Sequence, residues 1–167
     1  MTRNMIFLHG LESNSQTYKA SVIRNSFPEL IVPDFTGPLE KRMEVLYPIL
    51  GDKKDWTIIG SSYGGLMAAI FTCEHPDQVQ KQVLLAPALM LPQFTPYLDA
   101  STSLSASREP VSVPTTIIHG TQDTIVPLEK VRGIARKTFT NLKYEIVDDD
   151  HRLHKATDTL DWKAILS

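Results

Sequence analysis

Residues 56–65 read WTIIGSSYGG, and this stretch decides the fold. Its first four residues are typical of a buried strand, and the apolar run 64–74 that follows predicts a buried helix. A G-x-S-x-G motif joins the two, and a sharp strand-to-helix turn holds its middle residue in a strained backbone. The turn presents the Ser62 hydroxyl at a helix N-terminus, where amide groups favour developing negative charge. Ser62 is therefore the candidate nucleophile; the alternative is a Gly/Ser turn without chemistry.

Five further apolar runs resemble this strand, and most of them alternate with amphipathic stretches that predict helices. We expect strands at 5–8, 30–32, 56–59, 83–85, 115–118 and 144–147, and helices at 15–26, 39–50, 64–74, 128–139 and 156–166. Strands that alternate with helices imply a parallel sheet covered on both faces. The predicted fold class is α/β: one domain over residues 1–167, built as a three-layer α/β/α sandwich with a mostly parallel six-stranded sheet.

Composition and charge exclude several classes of function. The 167 residues are 42% hydrophobic and 22% charged, which is ordinary for a globular protein, and a net charge of −2 indicates no nucleic-acid partner. Cys73 is the one cysteine, so neither an internal disulfide nor a cysteine-based zinc site is expected. No apolar run approaches the ~18 residues of a membrane span, and the N-terminus lacks the apolar core of a signal peptide. We expect a cytoplasmic protein with no membrane partner, cofactor or metal; the sequence indicates no oligomeric state.

A nucleophilic serine needs a base and an acid that orients the base. The carboxyl ends of parallel strands meet at one edge of the sheet, where chemistry collects. Asp123 follows the predicted strand 115–118, and His151 follows the strand 144–147. These two residues are the candidate acid and base. His154 is the rival base, because it lies only three positions beyond His151.

The segment 89–114 interrupts the alternation of strands and helices with four prolines and a small, polar run. Long excursions inside compact domains are usually functional or mobile. Its first residues include Leu89, Met90 and Phe94, which are candidates for lining an acyl-binding pocket. The alternative is that they cover the sheet. The sequence leaves open whether the excursion closes over the site.

The chain resembles the α/β-hydrolase family in four motifs in the family's order: FLHG at 7–10, GSSYG at 60–64, LAPA at 85–88 and HGTQDTIVP at 119–127, followed by His151. In size and layout it is similar to short, capless bacterial serine esterases of the YqiA type. The resemblance implies a minimal hydrolase fold without a cap domain. It also implies that Ser62 is the nucleophile, His151 the general base and Asp123 the acid. The backbone N–H groups of Leu11 and Tyr63 would form the oxyanion hole.

The implied function is hydrolysis of small or medium acyl esters through an acyl-enzyme intermediate, so the expected partner is a small-molecule acyl ester. One alternative is a thioesterase, which would need a cationic patch for a phosphate-rich carrier; the sequence shows no Lys/Arg cluster near the predicted site. A second alternative is a binding module without catalysis. Two departures from the family stand out: no Gly-rich run follows Gly10, and three aspartates precede His151. Asp149 or Asp150 is therefore expected to contact a neighbouring cation.

Overall fold

The computed structural model describes residues 3–98 and 109–167. Five strands form one sheet in the order β1-β2-β3-β4-β5, and every neighbouring pair is parallel. They are β1 (Met5–Leu8), β2 (Trp56–Ser61), β3 (Val79–Leu85), β4 (Thr115–Gly120) and β5 (Leu142–Val147). The predicted parallel α/β sheet is confirmed.

The predicted number of six strands is wrong. Residues 30–32 do not form a strand, and Ile31 makes a single parallel bridge to Ile6 on the free edge of β1. Its N–H donates to Met5 O and its carbonyl accepts from Phe7 N. The next ladder bond would need an N–H at residue 33, which is Pro33 and has none. Pro33 therefore restricts the pairing on this edge of β1 to the single residue Ile31.

Helices cover both faces of the sheet and give a three-layer arrangement. One apolar cluster joins side chains of α2 (Leu39–Leu50), α3 (Tyr63–Glu74) and α4 (Leu128–Thr138) to one face of the sheet. A second cluster joins α1 (Tyr18–Ser26), α5 (His154–Thr159) and α6 (Trp162–Leu166) to the other face. Residues of β1 alternate between the two clusters and are all fully buried. This explains the continuous apolar run in its sequence.

The predicted helix at 156–166 is divided into α5 and α6. Leu160 is extended, with φ −71° and ψ 140°, and Asp161 begins a new helix by accepting a hydrogen bond from Ala164 N at 3.1 Å. An aspartate at this position favours a helix start over continuation of the preceding helix. Trp162 Nε1 then donates to Thr157 O across the break.

The excursion after β3 begins with a short 3-10 helix, Pro92–Tyr97. Residues 99–108 of the predicted excursion 89–114 lie outside the described residues. Among the residues that are described, no helix is long and apolar enough to cross a membrane.

The connections around β1 determine where a site can form. From β1 the chain runs to the bridge at Ile31 on one side and later to β2 on the other. The order of strands therefore reverses at β1, and a crevice opens at such a point beyond the carboxyl ends of the strands. The register aligns Leu8 with Gly60 and Ser61 with Leu85. The loops that follow β1, β2 and β3 consequently meet at this edge.

Gly64 lets α3 cross β1 at backbone contact. A Cβ at this position would lie 1.9 Å from Leu8 O, so we expect Gly64→Ala to lower the free energy of unfolding by about 3 kcal/mol. Urea denaturation measures the change. The matched control is Gly133→Ala on α4, where a Cβ meets nothing within 4 Å, and it should be stabilising by about 1 kcal/mol. Equal effects of the two substitutions would contradict the crossing argument.

Candidate active site

The turn between β2 and α3 holds Ser62 in a strained conformation, with φ 55° and ψ −110°. Its N–H donates to Leu85 O at 2.9 Å, and its carbonyl accepts from Leu66 N and Ala88 N at 3.2 and 3.0 Å. Gly60 permits the turn, because a Cβ there would lie 2.4 Å from Gly64 O. The surrounding backbone therefore enforces a conformation that a serine rarely adopts.

Three side chains form a hydrogen-bonded series at this edge of the sheet. Ser62 Oγ lies 2.9 Å from His151 Nε2, and His151 Nδ1 lies 2.7 Å from Asp123 Oδ2. The Asp123 side chain is fully buried, while that of His151 is 21% exposed. A carboxylate only accepts, so Nδ1 carries the proton and Nε2 is free to accept from the serine hydroxyl. The structure thus brings Ser62, His151 and Asp123 together.

The loop after β4 keeps Asp123 ionised. Asp123 Oδ1 accepts from Ile125 N and Val126 N, both at 2.8 Å. Burial raises the pKa of Asp123, but the hydrogen bonds from Val126 N, His151 and Ile125 N outweigh it and hold the pKa below its usual value. The acid is therefore a carboxylate across the neutral pH range.

The loop after β5 reaches Asp123 because of Gly120. A Cβ at Gly120 would lie 2.2 Å from Asp149 O, and Gln122 N donates to the same carbonyl at 3.0 Å. The two loops therefore touch through their backbones. This contact places His151 above the end of β4.

The aspartates before His151 shape their own turn. Asp149 accepts from Asp150 N and Ala156 N, both at 2.8 Å, and Asp150 accepts from Arg152 N at 2.9 Å. No hydrogen bond or ion pair joins these two carboxylates to a cationic group in the described part of the chain. Backbone amides therefore satisfy the two carboxylates, and the nearby cation Lys19 interacts with them electrostatically without a direct hydrogen bond or ion pair in the described residues.

His119 contacts the same carboxylate oxygen of Asp123 as His151 does. Its Nε2 lies 3.0 Å from Val126 O and 3.2 Å from Asp123 Oδ2, and its Nδ1 lies 2.7 Å from the Tyr144 hydroxyl. Burial lowers the pKa of His119, although the Val126 carbonyl and the Asp123 carboxylate oppose that shift. The ring is thus neutral at pH 7. Because Val126 O only accepts, Nε2 carries the proton and Nδ1 accepts from Tyr144.

The other histidines lie away from Ser62 Oγ. His154 begins α5, and its ring packs on Tyr18 with centroids 5.0 Å apart. His9 is buried and joins two loops: its Nδ1 donates to Gly10 O at 2.7 Å and its Nε2 accepts from Phe35 N at 2.9 Å. His9 is therefore a structural residue.

Two backbone amides near Ser62 belong to the residues predicted to form an oxyanion hole. Neither Leu11 N nor Tyr63 N donates a hydrogen bond to any residue that the structure describes. Tyr63 is the first residue of α3, where amide groups point out of the helix. The loop at Gly10 lies close by, since a Cβ there would be 3.7 Å from Ser62 Cβ. Both residues therefore line the space beside Ser62 and carry an N–H group without an acceptor in the described part of the chain.

Arg42 contacts both of the residues that carry these amides. It is 2% exposed, its Nε donates to Gly37 O at 2.8 Å, and its Nη2 donates to Leu11 O at 3.1 Å. Its guanidinium carbon lies 5.2 Å from the centre of the Tyr63 ring. Within the described residues, Nη1 is buried without a hydrogen-bond partner. One buried cation on α2 therefore contacts the residues that carry both amides.

A cavity of about 660 Å³ opens at Ser62. Met90 lines it, as predicted, but Leu89 and Phe94 do not, because both side chains are fully buried in the core cluster on α3. Leu89 and Phe94 instead pack in the cluster that covers one face of the sheet, which was the alternative expectation. Among the described residues, the apolar part of the lining consists of Leu11, Tyr63, Ala88, Met90, Leu91, Ile125 and Val126.

Sequence reasoning missed the two cationic residues of the cavity wall. Lys19 on α1 and Arg152 after β5 both line it. They lie 133 positions apart in the chain, so no run of basic residues marks them. Only the packing of α1 beside the loop after β5 joins them.

The Tyr144 hydroxyl provides a test of the support behind Asp123. Tyr144→Phe leaves His119 Nδ1 buried without a donor, so we expect the free energy of unfolding to fall by about 2 kcal/mol. Tyr47→Phe is the matched control, because it removes a hydrogen bond to Glu74 at the surface and should cost less than about 0.5 kcal/mol. Urea denaturation of the two variants gives the comparison, and equal losses would contradict the assigned pairing.

Comparisons with known proteins agree with this architecture. A family model described as the alpha/beta hydrolase fold matches residues 36–106. No curated protein matches the chain by sequence. Among solved structures, mouse alpha/beta hydrolase domain-containing protein 10 is similar with a TM-score of 0.76 and 21% identity, over 99% of this chain and 88% of that one.

Two further solved structures share the fold. An esterase from a marine microorganism has a TM-score of 0.71 and 16% identity, over 99% of this chain and 95% of that one. The thioesterase domain from the curacin biosynthetic pathway has a TM-score of 0.71 and 13% identity, over 99% and 92% of the two chains. The narrower likeness to YqiA-type esterases stays a prediction. The chain therefore has the α/β-hydrolase fold.

Proposed function

We propose that the chain is a single-domain serine hydrolase that cleaves small or medium acyl esters. The observation that carries this proposal is the series from Ser62 Oγ through His151 to the buried Asp123 carboxylate, with steps of 2.9 and 2.7 Å. A hydroxyl, an imidazole and a carboxylate in this arrangement generate a nucleophile at neutral pH. The open cavity beside Ser62 suits a small acyl ester.

The first half of the proposed reaction forms an acyl-enzyme. His151 Nε2 accepts the hydroxyl proton as Ser62 Oγ attacks the ester carbonyl carbon. The carbonyl oxygen becomes an oxyanion and accepts hydrogen bonds from Leu11 N and Tyr63 N, each worth about 10²–10³ in rate. The tetrahedral intermediate then expels the alkoxide, which takes the proton from Nε2 and leaves as the alcohol.

The second half returns the free enzyme. Water attacks the acyl carbon while Nε2 accepts one of its protons, and the second tetrahedral intermediate releases the carboxylic acid. Ser62 Oγ regains its proton from the imidazolium. Throughout, Asp123 holds the proton on Nδ1 and stabilises the charged ring through the 2.7 Å contact.

Thioester hydrolysis by the same residues is the second candidate. Lys19 and Arg152 line the cavity and supply the cationic groups that a phosphate-rich carrier would need. The fold is also shared with the thioesterase domain from the curacin pathway. These observations favour testing thioesters beside oxygen esters of the same acyl chain.

A fluorophosphonate probe tests the proposal directly. We expect stoichiometric labelling of the protein and none of the Ser62→Ala variant, because the probe reacts with an activated serine.

His151→Ala should lower the kcat for a p-nitrophenyl ester about 10⁴-fold, since it removes the general base. His154→Ala is the matched control and should keep wild-type turnover, because that ring packs on Tyr18.

Two outcomes would contradict this assignment. Folded protein that neither reacts with the probe nor turns over any ester or thioester would favour a binding module. Loss of turnover in His154→Ala with activity kept in His151→Ala would exchange their roles. Circular dichroism of each variant separates loss of chemistry from loss of folding.

A further inference from the structure

The cavity beside Ser62 has two chemically different walls. Leu11 and Ile125 form an apolar rim and are 55% and 64% exposed, and Met90 and Leu91 continue it inward. In the part of the chain that the structure describes, the lining contains three charged residues, Lys19, Arg152 and Glu12. A substrate held at the nucleophile would therefore meet an apolar surface and a charged one.

Lys19 occupies the charged wall without a direct partner. Its side chain is half-buried, and in residues 3–98 and 109–167 it makes no hydrogen bond or ion pair. Burial lowers the pKa of its ammonium, against an opposing effect from the nearby Asp149 and Asp150. Burying a cation is unfavourable unless a hydrogen-bonded anion compensates it.

The nearby carboxylates do not fill that role. Asp149 and Asp150 accept hydrogen bonds from backbone amides of their own loop. Arg152 is exposed on the same wall and likewise has no side-chain partner among the described residues. The ammonium of Lys19 and the guanidinium of Arg152 therefore have donors to offer a ligand.

We propose that Lys19 and Arg152 form a subsite for a carboxylate carried by the ester substrate. A monoanion fits better than a phosphate dianion, because Glu12 lies in the same lining and Asp149 and Asp150 lie near Lys19. An arginine fork and an ammonium are both suited to carboxylate oxygens. The substrate is then an ester with one apolar and one anionic substituent. The inference rests on the proposed function, whose substrate class it narrows.

Matched ester pairs test the subsite. The acyl-side pair is p-nitrophenyl monoglutarate and its methyl ester; the alcohol-side pair is 4-carboxyphenyl butyrate and its methyl ester. In one of the pairs we expect the anionic member to have the higher kcat/KM, by about tenfold at low salt. The preference should shrink as salt is added, because the groups are partly exposed. The pair that shows it tells which side of the ester carries the carboxylate.

Variants assign the preference to these residues. Lys19→Met keeps most of the length of the side chain and removes its charge, so the ratio of kcat/KM for the anionic ester to that for its methyl ester should fall to about one. Lys19→Arg should retain the preference, and Arg152→Gln should reduce it. Lys41→Met is the control, because Lys41 lies on the surface of α2 outside the cavity. A preference that survives in Lys19→Met, or no preference in either pair, would overturn the subsite.

A binding measurement separates this inference from the proposed function. Calorimetry on Ser62→Ala compares the affinities for the two members of each pair without turnover. Tighter binding of an anionic member that is lost in the Ser62→Ala, Lys19→Met double variant supports the subsite even if the wild type hydrolyses neither ester. Equal affinities reject the subsite even if Ser62 reacts with a fluorophosphonate.

The buried Arg42 carries a second, independent inference. Two of its donors bind backbone carbonyls, at Gly37 and Leu11, and its guanidinium packs on the Tyr63 ring. The loop that bears Leu11 is otherwise at the surface, where Leu11 is 55% exposed. We infer that Arg42 is a positioning residue that fixes the amides of Leu11 and Tyr63 at the distance an oxyanion requires.

An ester and its thionoester test this role, because sulfur accepts hydrogen bonds weakly. In Arg42→Met we expect kcat for p-nitrophenyl butyrate to fall about 10²-fold, with little change in KM. Hydrolysis of the matching O-aryl thionobutyrate should change less than about threefold. Arg42→Lys should recover part of the ester rate, and the exposed Arg136→Met is the control.

An equal loss on both substrates would show that Arg42 acts only through stability. Nitrogen-15 relaxation gives a readout that needs no turnover. The backbone of Leu11 should become more mobile in Arg42→Met, while that of residues in β4 does not change. An unchanged Leu11 backbone would overturn the inference whether or not the chain is a hydrolase.

Discussion

The contact between the first turn of α3 and the end of β1 governs the rest of the structure. Because α3 begins one residue after the end of β2, its first turn packs directly against the backbone of the neighbouring strand β1. Gly64 makes this contact with the carbonyl oxygen of Leu8. Because the approach is so close, Ser62 is held in its strained conformation above the sheet. The same approach brings the Gly10–Leu11 loop beside it. One steric constraint thus positions Ser62 and the neighbouring Gly10–Leu11 loop together.

The second half of the site depends on backbone contact between two loops. Gly120 allows the loop after β5 to touch the loop after β4, and Gln122 N joins them. Asp123 then receives backbone donors from its own loop and a side-chain donor, His151, from the other. A buried carboxylate is stable only with several such donors. Its hydrogen bonds therefore organise both loops and orient the imidazole.

Local sequence patterns predicted most of the secondary structure. The helix at residues 39–50 has its predicted bounds, and the turn at Ser62 lies between the predicted strand and helix. The errors have local causes too. Pro33 limits residues 30–32 to one bridge, and Asp161 begins a separate helix inside the segment 156–166. The hydrophobic pattern of the sequence shows which residues can be buried, but it does not show whether each residue has an N–H group to pair in a sheet.

The alternation of strands and helices, the turn at Ser62 and the positions of Asp123 and His151 after their strands follow from the sequence by itself, because backbone preferences and hydrophobic runs act over a few residues. The tertiary structure alone decided which side chains face the cavity. Met90 lines the cavity, whereas Leu89 and Phe94 are buried in the core. Lys19 and Arg152 line the same cavity although they lie far apart in the sequence. The physical reason is that burial and charge proximity are set by packing between elements, which no short stretch of residues encodes.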